Sequence, residues 1–486
     1  MMCVADMALE DVMHRFLRGY VASPQWIKTA VGRLYAGLPL RWRRGASYAR
    51  FKTVLEATGE AQILAQSRTR LAETLRWAIE TVPAYSGFRA LVKDLDRPEE
   101  VLRALPPCSK ADLKGNIERY LSSRMPRSAR LPTFTGGSTA EPMRFYLEKH
   151  VTRSREYAFM EDFEARVGLV SGRDLVLSLR GRTVPTAQKA RGPRSMYEPI
   201  KHQLILSSDH LAPRYMPEYL AALRRWRPVY IQAFPSALYP LALWLKDHPE
   251  PEITARFRGV LLYSENVFDF QMRLFREVFD CPVLTHYGHS ERVLMAASAV
   301  DDDRYFFYPQ YGYLELLDER GQNVTVPGVV GEITGTGFDN RVMPFIRYRT
   351  GDLAVLSDTP HAGLPAYPAV QRIEGRLQEF LVTRDGRLVS ITTMGAAHFE
   401  ELATVRAIQY EQREPGRFVL KVATDALTDA ARARITRAVA EKTQGGCVAE
   451  VVSVAEIPRT ARGKHVMLIQ HIDLAPYLGA SSGARA

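Results

Sequence analysis

Cysteine is scarce in this chain, with four residues at Cys3, Cys108, Cys281 and Cys447 and no CxxC pair. That scatter excludes a disulfide framework and a zinc knuckle. Cys281, His286 and His289 form a short stretch of metal-binding side chains, but no second Cys/His pair completes a tetrahedral set. No segment reaches the ~18 uninterrupted apolar residues that span a bilayer. The opening residues, MMCVADMALEDVMHRF, carry acids early and no apolar h-region, so no secretory signal is expected and a cytoplasmic protein is the default. The phosphate-loop signature GxxxxGK followed by Ser or Thr is missing, as are internal repeats and low-complexity tracts. Acids are outnumbered, 54 Asp+Glu against 65 Lys+Arg, leaving a net charge of +11. Basic side chains gather at Arg41, Arg43, Arg44 and Arg50, and again between Arg180 and Arg194, in neither case within a nucleic-acid motif. Such a surface suits a nucleic acid, an anionic lipid or an acidic substrate, and an enzyme with an anionic substrate is the plainest reading.

What is present is a globular composition, 46% hydrophobic, 24% charged and 10% aromatic, over 486 residues. Length and composition suit two to four domains or subdomains. Residues 1–65 hold short apolar and basic helical patterns, read as a helical extension packed on the main domain. A strong helix is predicted over 67–82, with Leu71, Leu75, Ala78, Ile79 and Val82 on one face and Pro83 ending it. Ser109 in LPPCSKADL is the predicted N-cap of the next helix. From about 130 to 350 short apolar runs (LVLSL, VYIQAF, GVLLYS, VLTHYG) alternate with helical patterns at 214–226, 236–247 and 268–279. That alternation predicts an α/β domain with a substantially parallel sheet. A β-rich stretch follows at 305–357, in which FIRYRTG and LAVLS read as separate strands joined at a Gly-Asp turn. The remainder reads as a small α/β domain, with a hairpin at 380–390 around Asp385-Gly386, a helix at 428–443 and VAEVVSV as a strand. The pattern therefore reads as α/β, with the boundary between the larger part and the small C-terminal domain near Gly375-Arg376.

Four segments carry candidate chemistry. PTFTGGSTAEPMRF (132–145) sets Gly136 and Gly137 among Thr135, Ser138 and Thr139. Glycine lets backbone N–H groups converge on an oxyanion, and the hydroxyls add donors. Tyr287-Gly288-His289-Ser290-Glu291 places an aromatic face, a flexible glycine and a carboxylate after a strand. The ring can stack on a purine, and the carboxylate can hold Mg²⁺, which prefers oxygen ligands. Tyr348-Arg349-Thr350-Gly351-Asp352 ends a strand with an acid suited to ribose hydroxyls, and Pro458 to Lys464 sets a cation on a Gly-bearing loop. Taken singly, each has an ordinary structural reading. Tyr287 and Tyr348 read as core aromatics, Glu291 and Asp352 as turn acids, Lys464 as a surface lysine, and His286 and His289 as structural imidazoles. GEITGTGF reads as a strand followed by a turn.

In this order and at these separations, the four segments resemble the adenylate-forming superfamily of acyl-CoA synthetases, nonribosomal-peptide adenylation domains and luciferases. TVPAYSGF, LPPCSKADL, QAFPSAL, LLYSENVFD and YGHSERV resemble its phenylacetate–CoA ligase, CapK-like and coenzyme F390 synthetase branch, over roughly residues 20–472. The resemblance implies a large multi-subdomain α/β N-terminal domain with mixed sheets over 66–375 and a small mobile C-terminal lid over 376–486. It implies ATP-dependent, Mg²⁺-dependent activation of a small carboxylic acid to an acyl-adenylate. Transfer to a thiol, CoA or a carrier protein, follows, with an amine or hydroxyl as the alternative acceptor. It also implies that Thr135, Gly136, Gly137, Ser138 and Thr139 bind ATP phosphates, and that Ser264, Glu265, Asn266, Tyr287 and Gly288 surround the adenine. Asp352 and Arg376 would contact the ribose, Glu291 would hold Mg²⁺, and Lys464 would assist adenylation with Glu291 and Thr139. Phe234, Pro235, Ser236, Tyr263 and His286 would line the acyl pocket. A non-catalytic nucleic-acid or membrane-surface binder is the reading from another class, and the retained Glu291, Asp352 and Lys464 weigh against it. Two departures stand out. Glu141 occupies the position of the usual loop lysine, and Gly375-Arg376-Leu377-Gln378-Glu379 lacks the acidic pivot directly after Gly-Arg.

Overall fold

Proline and glycine punctuation divides the chain into short elements in the computed structural model. It describes residues 19–20, 23–57, 59–134, 143–180, 184, 192–208, 210–211, 213–376, 380–391, 405, 407–424, 427–458, 465–474 and 476–477. Helices α1 (Gln25–Gly37), α2 (Leu40–Arg44), α3 (Tyr48–Leu55) and α4 (Glu60–Thr81) come first, followed by a 3₁₀ segment Pro83–Asp94, α5 (Pro98–Ala104) and α6 (Lys110–Lys114). Strands β1 (Arg130–Phe134) and β2 (Arg144–Glu148) precede α7 (Thr152–Ala165), β3 (Val176–Leu179), β4 (Ser195–Glu198) and β5 (Gln203–Leu206). Then come α8 (Met216–Trp226), β6 (Tyr230–Ala233), α9 (Pro235–Asp247), α10 (Pro251–Thr254), β7 (Gly259–Tyr263), α11 (Asp269–Phe279) and β8 (Val283–Gly288). Strands β9 (Met295–Ala297), β10 (Tyr305–Phe307), β11 (Gly312–Leu317), β12 (Val330–Gly337), β13 (Tyr348–Ser357) and β14 (Ala369–Arg376) follow. The C-terminal part holds β15 (Phe380–Val382), β16 (Leu388–Ser390), β17 (Ala407–Glu414), β18 (Arg417–Ala423), α12 (Asp429–Lys442), β19 (Val448–Val454) and β20 (Leu468–Gln470).

These elements divide into two units. One comprises Met1–Arg173, Glu198–His202 and His286–Arg372, and the other Asp174–Tyr197, Gln203–Thr285 and Ile373–Ala486. In the first, β11, β12, β13, β14, β10, β9 and the end of β8 lie side by side in that order, with antiparallel pairing wherever the register is defined. Helix α4 packs there through Ile63, Leu71, Leu75, Ala78 and Ile79, an i, i+4 stripe. Leu71, Leu75 and Ile79 join Val101, Leu102, Leu105, Phe338 and Ile346 in one apolar cluster. The helix ends at Val82, which Pro83 forces into an extended conformation. It begins earlier than its predicted start at 67, because its first turns bury only Ile63 and so lack the apolar period.

Ser109 caps α6 as expected, within a reciprocal capping box with Asp112. Its neighbour Cys108 donates its N–H to Arg347 O (3.0 Å) and accepts Arg349 N–H (2.8 Å), tying this strap to the start of β13. Arg347 is buried and pairs with Glu315 at 3.0 Å. It has φ +47°, so no strand runs through it. The expected FIRYRTG and LAVLS strands are instead one strand, β13, which starts at Tyr348 and continues through the predicted turn.

In the second unit β7, β6, β3, β5 and β4 adjoin in that order, and β7–β6, β6–β3 and β3–β5 are parallel. Helices α8, α9 and α11 provide crossovers at the predicted positions. A separate sheet in the order β19-β18-β17-β20 carries α12, with Thr428 as its N-cap. The β15–β16 hairpin forms around Gly386 at φ +81°. The fold is α/β with a large mixed sheet and a distinct C-terminal sheet.

Candidate active site

The centre of the first unit's site is the loop that leaves β8. His286 and Gly288 share one face of that strand and Tyr287 takes the other. A Cβ at Gly288 would approach the His286 ring to 2.9 Å, so glycine lets the imidazole fold over this position. His286 also lies against Phe163, with ring centroids 5.7 Å apart. Beyond the strand, Arg292 N–H donates to His289 O at 3.0 Å, closing a turn in which Arg292 takes φ +55°. The buried Arg155 of α7 donates to Arg292 O (2.8 Å) and to Phe338 O, pinning the turn from beneath.

Glycines hold the loop's other side. Gly335 and Gly337 fall on alternate residues of β12 and therefore on one face. A Cβ at Gly335 would lie 2.6 Å from Leu294 Cγ, and one at Gly312 would lie 2.2 Å from Val293 O. GEITGTG is thus the strand expected, and its Gly335 and Gly337 admit Val293 and Leu294, which follow Glu291.

Glu291 is held from two sides. Tyr348 Oη–H donates to Oε1 at 2.7 Å, and His289 Nδ1 stands 3.5 Å from Oε2. Burial acts to raise the carboxyl pKa, but the imidazole and the phenol outweigh it and hold it down to about 2. Both His289 ring nitrogens are buried, and by strict hydrogen-bond geometry neither has a partner among the described residues, so Nδ1 at 3.5 Å from Oε2 is a long contact. Glu291 is therefore an ionised oxygen donor. Its folded-state pKa lies below the ordinary 4.5, so it contributes stability above pH 4.5 that is lost as the pH falls towards 2. Tyr348, expected from the sequence as a core aromatic, is thus a partner of Glu291. Replacing it by Phe removes a hydrogen bond to a charged group, typically about 1.5–3 kcal/mol. We expect Tyr348→Phe to raise the acid limb of the pH–rate profile and to lower kcat/KM by about tenfold or more. An unmoved acid limb would show that the phenol does not tune Glu291.

Asp352 is aimed by a bulge. Glu332 pairs with Leu353 and Thr334 with Arg349, so Thr350, Gly351 and Asp352 stand opposite Ile333 alone. Gly351 takes φ +77°, its N–H reaches Glu332 Oε1 (3.0 Å), and Thr350 Oγ1–H reaches Ile333 O (2.7 Å). The buried Asp352 then accepts the Tyr287 hydroxyl at 2.8 Å. Tyr287, Glu291, Tyr348 and Asp352 thus form two phenol–carboxylate pairs in one unit.

In the second unit, β7 ends at Tyr263 and Ser264 takes φ +64°, a conformation rare outside glycine. Glu265 N–H closes back on Tyr263 O at 2.9 Å. The turn turns the Glu265 carboxylate towards α9, where it accepts the Ser236 N–H and Oγ–H, each at 3.0 Å. Its third donor is the His465 N–H, at 3.1 Å. Phe234 N–H donates to Leu179 O (2.9 Å), Pro235 opens α9, and Tyr263 lies under the Arg180 guanidinium at 4.0 Å. Asn266 follows on the same loop. All sit beyond the carboxyl ends of parallel strands, where open α/β sheets bind ligands.

Thr135, Gly136, Gly137, Ser138, Thr139, Glu141 and Lys464 lie outside the described residues, as do residues 377–379 of the hinge. The strands flanking the Thr135–Thr139 loop are paired at Phe134 and Arg144. Arg376 ends β14. Among the described residues no group of three or more His, Cys, Asp or Glu could hold a metal ion, so the Cys281, His286 and His289 alternative gains no support.

No family model matches the chain. It is 24% identical over 302 residues to protein CapK of Staphylococcus aureus, a match covering 61% of this chain and 63% of that protein. The match therefore spans just under two thirds of the curated relative. Its fold is similar to 2-hydroxyisobutyryl-CoA ligase solved with 2-HIB-AMP in the postadenylation state (TM-score 0.63, 18% identity, 87% of this chain and 92% of that one). It is also similar to the acyl acid amido synthetase AtGH3.15 solved with 2,4-DB (TM-score 0.56, 14% identity, 88% and 95%). The chain has the fold of the adenylate-forming ligases, the one its motifs predict.

Proposed function

We propose that the chain is an AMP-forming ligase that activates a carboxylic acid with ATP and passes the acyl group to a thiol, most simply CoA. The observation that carries this reading is Glu291, a largely buried carboxylate kept ionised between Tyr348 and His289 on the loop after β8. Mg²⁺ is commonly held by one or two carboxylates with substrate phosphates and water completing its shell, and a lone ionised Glu291 fits that role. Such an ion would neutralise phosphate charge as the α-phosphorus is attacked. In that step a substrate carboxylate oxygen bonds to the α-phosphorus of ATP and the bond to pyrophosphate breaks. Little covalent chemistry falls to the protein, so positioning and electrostatics do the catalysis.

Within this reading the Thr135–Thr139 loop binds phosphates, with Thr139 serving catalysis. Tyr287 stacks on adenine beside Gly288, Ser264, Glu265 and Asn266, while Asp352 and Arg376 take the ribose. Phe234, Pro235, Ser236, Tyr263 and His286 line the acyl pocket. Residues 376–486 act as the lid that brings Lys464 to the phosphates. The contact between Glu265 and His465, the residue bonded to Lys464, supports that placement. The relatives include both a CoA ligase and an amido synthetase, so an amine acceptor is the second reading.

Consumption of CoA, against hydroxylamine trapping alone, separates the two acceptors. Glu141 sets a carboxylate where a lysine would attract pyrophosphate. Glu141→Lys is expected to lower the KM for ATP several-fold, and an unchanged KM would exclude that side chain from the phosphate site.

A further inference from the structure

Helix α1 departs from the usual arrangement of an amphipathic helix, whose apolar stripe faces the core. Helix α1 buries Lys28, Gly32 and Tyr35. Gly32 is needed there, because a Cβ would come 2.5 Å from Pro199 Cβ, and Lys28 lies in the field of Glu198. Tyr20 Oη–H donates to the same Glu198 at 2.8 Å. That docking fixes which face looks outward. Trp26, Ala30 and Leu34, at i, i+4 and i+8, form it, with Trp26 72% and Leu34 74% exposed. Leu40 and Trp42 of α2 are also exposed, at 47% and 43%. Between Val21 and Leu55 the sequence has seven Lys or Arg and no Asp or Glu. Arg33, adjacent to Leu34 in sequence, and Arg41, between Leu40 and Trp42, are exposed.

We infer that α1 and α2 form a docking surface for an anionic lipid bilayer, with Trp26, Leu34, Leu40 and Trp42 entering the interface and Arg33 and Arg41 meeting the headgroups. Indole rings sit well at headgroup depth, and basic amphipathic helices bind in the plane of the interface. Aliphatic side chains gain nothing from a phosphate backbone, so Leu34 and Leu40 favour lipid over nucleic acid. A second copy of the same acid-free patch would meet like charge across a two-fold interface. No helix among the described residues is long and apolar enough to cross a membrane, so this attachment is peripheral.

The test sediments the full chain with vesicles of phosphatidylcholine alone, or of phosphatidylcholine mixed equally with phosphatidylglycerol. Binding is expected to the mixed vesicles only, falling with added salt. Basic residues near an anionic surface contribute about 1 kcal/mol each, so Arg33→Glu with Arg41→Glu should weaken binding at least ~25-fold. Trp26→Ala with Trp42→Ala should also release the protein, and at low salt as well. Both variants should keep the wild-type melting temperature and pyrophosphate-exchange rate, which separates lost docking from lost folding. The inference is overturned if wild type stays in the supernatant with both vesicle types. It is equally overturned if the Trp variant sediments like wild type, or if its only change is dissociation of a dimer or loss of oligonucleotide binding.

Discussion

Glu291→Gln is expected to lower the rate of carboxylate-dependent ATP–pyrophosphate exchange by about 10²–10³-fold, equivalent to ~2.7–4 kcal/mol of electrostatic stabilisation. The substitution keeps the side chain's size and leaves an amide oxygen to accept the Tyr348 hydroxyl, so the loop retains its packing on Gly335 and Gly312. What disappears is the negative charge. In the wild type that charge survives burial because His289 and Tyr348 favour it. A neutral amide is a poor ligand for a hard cation, so the loss should be accompanied by a raised Mg²⁺ requirement. Melting temperature should change far less than activity. Near-normal exchange in this variant would remove Glu291 from the reaction and leave it as a structural acid.

Lys464→Ala should nearly abolish the same exchange, with a loss of about 10²–10³-fold or more and no loss of fold. The negative charge of the reacting α-phosphate and the departing pyrophosphate needs a cation near the attacked phosphorus. Lys464 is the candidate cation on its Gly-bearing segment. His465, the residue bonded to it, donates its N–H to Glu265, which also accepts two bonds from Ser236 at the start of α9. The variant also discriminates between half-reactions. A lysine that serves adenylation alone is dispensable for acyl transfer from a preformed acyl-adenylate to CoA. Thioester formation from a supplied acyl-adenylate should therefore persist in Lys464→Ala. Equal loss in both assays would point to a damaged lid instead.

Much of this architecture is legible in the residues themselves, because the signals are local. The parallel strands β3, β6 and β7 are short apolar runs between amphipathic helices, and Ser109 is a cap followed by an acid three residues on. The hairpin at Asp385-Gly386 follows from turn chemistry. Less local features escaped. The bulge that aims Asp352 depends on which residue of β12 faces which residue of β13, a register that no single strand encodes. Thr350-Gly351-Asp352 reads as a turn because Gly351 indeed takes a turn-like φ, yet its partners continue the ladder on both sides. The Tyr348–Glu291 and Tyr287–Asp352 pairs join residues 57 and 65 positions apart. Arg155, buried beneath the Glu291 loop, carries no motif at all. One missed signal was available: the alternate glycines Gly335 and Gly337 mark a strand face against which another segment of backbone packs.

The most direct measurement is ATP–pyrophosphate exchange by the purified chain with Mg²⁺, across a panel of carboxylic acids. At least one acid should stimulate exchange in the wild type, and Glu291→Gln and Lys464→Ala should each suppress that stimulated rate by two orders of magnitude or more. Exchange that proceeds equally without any acid, or that survives both substitutions, would contradict the account.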